Sequence, residues 1–197
     1  MGLTALEPPT ATADTACRYV AALRSGSGFL TRGALSRRGE RIWLTAPHPV
    51  FNLRLDDLGT RAPLTRVQMT GWRYLVVSHD AALATVELAA TSRSDVASFC
   101  RITDGWMATS IADAVKRAER NATVRRRHYV LSMVRVPSIH MNAVWFRDVQ
   151  ADGAHDLFQV LDPSSVGSAK NRLLAHQGFL GLLRECKVRS AQRPTEV

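Results

Sequence analysis

Residues 72–78 (WRYLVVS) are dense in aromatic and β-branched residues. Such side chains pack well on a pleated surface, so the run predicts a strand. Residues 83–90 and 96–102 follow after short polar intervals and predict two more strands, closed by Thr103, Asp104 and Gly105. The period then changes from two to 3.6. Ile111, Ala114, Val115, Ala118 and Ala122 recur at helical spacing behind Ser110. Asp113 stands three positions after Ser110, the capping-box arrangement in which a hydroxyl and a carboxylate satisfy the free amides of a helix start. Asp113 and Arg117 are also four apart on the polar face, where opposite charges support a helix.

The second half repeats this order. Residues 129–136 (YVLSMVRV) predict a strand closed by Pro137, residues 141–149 (MNAVWFRDV) a second, and residues 156–161 (DLFQVL) a third, with Asp152-Gly153 as a turn. A helix is expected from near Ser168, with Leu173, Leu174, Leu180 and Leu183 as its apolar face and Gly178 and Gly181 as points where it could split. Residues 72–122 and 128–186 therefore both read as three strands and a helix, a similarity of order and not of residues. Strands joined by short turns pair antiparallel, because a parallel pair needs a long crossover. The expectation is an α+β domain, its antiparallel sheet flanked by about three helices, built from two βββα halves.

Upstream, Ala16, Tyr19, Val20 and Leu23 predict a short amphipathic helix capped by Asp14 or Thr15 and stopped by Gly26 and Gly28. Residues 41–46 and 50–55 are apolar runs broken by Pro47 and Pro49. Proline removes a ladder donor, so these are expected to be edge strands at best. The Pro- and Thr-rich residues 1–13 are expected to form a flexible arm and residues 191–197 a flexible tail around a single domain, 14–190.

Composition narrows the class. A chain of 197 residues with 46% hydrophobic residues can bury a core, and no apolar run approaches the ~20 residues that cross a bilayer. Cys17, Cys100 and Cys186 are odd in number and widely spaced, which offers neither a disulfide framework nor a zinc knuckle. Together with a start that lacks a signal-peptide pattern, they give the expectation of a cytoplasmic protein. The formal charge of +9 is unevenly spread: residues 71–124 carry six basic and six acidic side chains and are neutral. The excess gathers in Arg32, Arg37, Arg38 and Arg41; in Arg125, Arg126 and Arg127; and in Arg184, Lys187, Arg189 and Arg193. Arginine's planar fork binds carboxylate and phosphate bidentately, so such patches suit acidic partners.

Complete catalytic patterns are missing. The six histidines have no i, i+4 pair on a helix and no HExxH, so no metal site is expected. Gly26-Ser27-Gly28 lacks phosphate-cradle spacing, no GxSxG elbow is present, and no cofactor is expected. One catalytic arrangement can be drawn. Cys17 is placed in the first turn of the first expected helix, where free amides favour a thiolate, with His140 at a strand start and Asp162 after a later strand. That order of Cys, His and Asp resembles the layout of papain-like thiol hydrolases, which would make the three residues nucleophile, base and orienter; the resemblance is of order alone, since Thr15, Ala16, Arg18 and Tyr19 around the cysteine are not that family's usual neighbours. Arg125, Arg126 and Arg127 form a second alternative, a grip on nucleic-acid phosphates. The reading favoured by the whole pattern is non-catalytic: a binding, adaptor or assembly protein that engages a protein or other acidic macromolecule, or a second copy of itself, through a sheet face or through Arg37, Arg38, Arg41 and Arg125 to Arg127.

Overall fold

The structure, a computed structural model, describes residues 2–24, 41–60, 62–79, 81–89, 98–151, 153–161 and 172–192. Its strands are β1 (Leu3–Thr4), β2 (Trp43–Asn52), β3 (Gln68–Ser78), β4 (Ala81–Ala89), β5 (Ser98–Asp104), β6 (Tyr129–Val136), β7 (Met141–Asp148), β8 (Leu157–Val160) and β9 (Leu173–Ala175). The helices are α1 (Thr10–Arg24), α2 (Trp106–Arg120), α3 (Ala122–Arg126) and α4 (His176–Ala191). All nine strands lie in one sheet of order β5-β4-β3-β2-β6-β7-β8-β9, with β1 beside the start of β6.

The α+β class holds, but the sheet is mixed and not purely antiparallel. Within each half the strands do pair antiparallel, as short turns require. At the seam between halves, Val50–Asn52 of β2 pairs in parallel with Met133–Arg135 of β6, and β1 is also parallel to β6. That seam is no hairpin: the chain between β2 and β6 includes three further strands and α2, which leaves ample length for a parallel return. Among the described residues each half has four strands, β2 to β5 and β6 to β9.

The extra strand of the first half is the one that Pro47 and Pro49 had made doubtful. β2 bulges between Thr45 and His48, with Ala46 in the left-handed region at φ 47°, and continues past both prolines as a central strand. The prolines keep their usual place all the same. Pairing with β6 begins only at Val50, so neither proline is asked to donate on that side.

Among the described residues there are four α-helices where about three were expected. The difference is α3, a short turn capped by Asn121, whose Oδ1 accepts from the N–H of Thr123 at 2.8 Å and of Val124 at 3.4 Å. Asn121→Ala is expected to lower stability by about 1 kcal/mol in urea unfolding, and Asn121→Asp to keep most of it. α2 starts at Trp106, so Ser110 lies inside the helix and Gly105, at φ 74°, occupies the cap. α4 runs unbroken through Gly178 and Gly181 and is preceded by β9, where the helix had been expected to include Leu173 and Leu174. α1 begins at Thr10, and Leu3–Thr4 ahead of it is the strand beside β6.

Strand alternation distributes the core. Ala16 and Val20 of α1 pack on Trp72, Tyr74, Val76, Val86 and Leu88, and Phe179, Leu180 and Leu183 of α4 pack on Val134, Val136, Met141 and Phe158. These positions share one face of the sheet. The other face is covered by α2 and α3, whose Met107, Ile111, Ala114, Ala118 and Val124 meet Val50, Leu75, Leu131, Met133, Val144 and Phe146. α2 therefore covers strands of both halves.

Candidate functional site

Between α1 and α4 a strip of sheet is left open. Phe51 of β2, Val130 of β6 and Trp145 and Arg147 of β7 form the floor of a cleft of about 610 Å³, and Leu6, Leu64, Thr65 and Val67 form part of its wall. The volume is that of a small-molecule or peptide-side-chain site, apolar with a few converging polar groups.

Its most exposed charge is Arg147, whose guanidinium lies 5.4 Å from the Phe51 ring centre and 5.1 Å from that of Trp145. Aromatic faces carry negative potential, so they hold the cation in place without neutralising it. Arg147 joins no ion pair among the described residues. Trp145 is itself fixed: its Nε1–H donates to Asp156 Oδ2 at 2.8 Å, while the backbone N–H of Asp148 donates to Asp156 Oδ1 at 2.9 Å. Burial pushes the Asp156 carboxyl above its ordinary range, and those two hydrogen bonds offset only part of the rise. His176, at the first position of α4, closes the far wall with its Nδ1 2.6 Å from the Gly153 carbonyl. At the near end, Arg127 Nη1 donates to Asp148 Oδ2 at 2.7 Å. Burial raises that carboxyl, but the Gln150 amide and Arg127 outweigh it and hold the group below its ordinary range.

A wider groove of about 910 Å³ lies where β2 and β6 end. Its lining mixes both signs, and Asp56 is 3.8 Å from Arg54 and 3.7 Å from Lys187. The cleft at Arg147 is thus the better candidate for an acidic ligand.

The opposite face carries a second polar group. Glu87 of β4 accepts on one oxygen, Oε2, from Arg73 of β3 at 2.6 Å, from Arg101 of β5 at 3.3 Å, and from Arg135 of β6. Register explains the meeting: Arg73, Glu87 and Arg101 are directly paired across β3, β4 and β5. Burial opposes the Glu87 charge, yet Arg73 and Arg135 overcome it and hold the carboxyl at about 2. Burial also draws Arg73 down to about 10, which leaves it charged at neutral pH. His48, paired across from Arg73, donates its Nδ1–H to Ala46 O at 2.7 Å, and burial lowers it to about 4, so the ring is neutral.

The residues singled out from sequence fall apart in space. Cys17 is exposed at the eighth position of α1, which packs over β3 to β5, so the free first-turn amides do not reach it. His140 lies in the β6–β7 turn at φ 51°, in the other half of the sheet. Asp162, Arg37 and Arg38 lie outside the described residues. Arg41 is exposed before β2. Of the 125–127 run, Arg127 is committed to Asp148, while Arg125 and Arg126 are exposed on α3. Sequence reasoning missed Arg147, Arg73, Arg135 and Glu87. Their one signal is a charge inside an otherwise apolar strand. Among the described residues no group of three His, Cys, Asp or Glu could hold a metal ion, and no helix is long and apolar enough to cross a membrane.

Comparison with protein-family models, with curated proteins and with solved structures finds no match for this chain.

Proposed function

We propose that the protein is a non-catalytic binding protein that takes an acidic segment of a partner protein into the cleft on its sheet face. The observation that carries this reading is Arg147: a guanidinium held over Phe51 and Trp145 on the floor of a cleft, with no carboxylate paired to it among the described residues. Arginine so placed offers a planar fork to a carboxylate, and the surrounding Leu6, Leu64 and Val67 offer burial to the apolar side chains next to it.

The test is a titration with an Asp- and Leu-containing decapeptide, followed by calorimetry, beside the same peptide with Lys in place of Asp. Arg147→Gln is expected to weaken binding of the acidic peptide about tenfold, the value of one charge-assisted hydrogen bond, with circular dichroism unchanged. Equal binding of both peptides, no binding of either, or an Arg147→Gln variant that binds as the parent does would each overturn the proposal.

A further inference from the structure

Three guanidiniums converge on one carboxylate oxygen at Glu87, which among the described residues leaves the group two positive charges in excess. The group is not at the surface: Arg73 is 2% exposed and Arg135 16%, while Arg101, at 51%, opens it to solvent on the β5 side. Uncompensated charge at such depth is costly, and a counter-anion relieves it. The donors are not used up either. Nε of Arg73 and Nε of Arg135 are both buried without an acceptor.

We propose that Arg73, Arg101 and Arg135 form an anion site for a doubly charged oxyanion of the phosphate class, entered on the side of the half-exposed Arg101. Glu87 serves there as the spacer that gathers the guanidiniums before the anion arrives. The site lies on the face opposite the Arg147 cleft and stands independently of it. A phosphate-class group matches in charge, two against two, and in geometry, since its several oxygens can accept from more than one planar fork.

The experiment measures the melting temperature and the ³¹P resonance of the whole protein in orthophosphate and, separately, in O-phosphoserine, against sodium chloride at matched ionic strength. Either phosphate compound is expected to raise the melting temperature above the chloride control and to broaden its ³¹P line. The stronger of the two identifies the source as the free ion or a phosphoryl group on a larger molecule. Arg101→Gln, a change at an exposed side chain that should fold, is expected to weaken binding about tenfold, and Arg147→Gln to leave it unchanged. Melting temperatures equal to the chloride control with both compounds, or equal binding by the parent and Arg101→Gln, would overturn the proposal.

Discussion

Glu87→Gln is expected to cost about 3–5 kcal/mol in urea unfolding, the loss typical of removing one partner from a buried ion group. The substitution keeps the side chain's size, so the loss reports charge. What remains is Arg73, Arg101 and Arg135 facing one another with no carboxylate between them. Arg101→Gln serves as the contrast, because Arg101 is half exposed and its pairing is screened by water; a cost under about 1 kcal/mol is expected. If Glu87→Gln cost no more than Arg101→Gln, the cluster would not be a structural element.

The same group fixes a pH dependence. The folded Glu87 carboxyl is held at about 2 against an ordinary value of 4.5. A depressed carboxyl stabilises the fold fully above the unfolded value and loses that contribution as pH falls from about 4.5 toward 2, a total of about 3 kcal/mol. His48 acts in the same direction at higher pH. Its folded value of about 4 lies below the ordinary 6.5, so the unfolded chain takes up its proton first and stability falls between those values. Acid titration of the unfolding free energy is thus expected to show loss beginning near 6.5 and steepening below 4.5, with the lower step reduced in Glu87→Gln and the remainder carried by groups such as Asp148, whose carboxyl is also held low.

Gly71→Ala carries the other large effect. Gly71 of β3 is opposite Val50 of β2 and Ala89 of β4. A Cβ built there would lie 1.9 Å from the Leu88 carbonyl oxygen and 3.2 Å from the Ala89 Cα, both backbone atoms that no rotamer change can move. The strands must separate or slip. We expect a loss of several kcal/mol, above the ordinary range for point substitutions, or failure to fold; a change below about 1 kcal/mol in denaturant unfolding would show that the β3–β4 contact is looser than described.

Much of this architecture could be read from the residues. The strands at 72–78, 129–136 and 141–149 were legible because their β-branched and aromatic residues stand between clear breakers. The seam was not, because pairing of Val50–Asn52 with Met133–Arg135 is non-local and leaves no periodic trace. β2 was obscured by Pro47 and Pro49, which speak for an edge and are satisfied by a strand that is an edge for only part of its length. The sites were less legible than the fold. Arg73, Glu87 and Arg101 are spread over three strands and meet only through register, and Arg147 became a candidate only once Phe51, nearly a hundred positions earlier, was placed beneath it. The run Arg125-Arg126-Arg127 was conspicuous, yet one of its three guanidiniums is spent on Asp148.

The seam between the halves also sets where the chain-closure entropy of the fold is concentrated. Ser78 and Ala81 meet across a three-residue step, and Asn52 and Gln68 across sixteen, but Val50 and Met133 are 83 positions apart. By logarithmic loop scaling, closing the seam costs roughly 1.5 kcal/mol more than closing the β2–β3 connection, and only three residues of each strand pair there. Three parallel pairs are a small return on that cost. The offset comes from α2, whose Ile111, Ala114 and Ala118 share one core with Val50 and Leu75 of the first half and Leu131, Val144 and Phe146 of the second. The helix that completes one half is therefore also the clasp that closes the long loop around both.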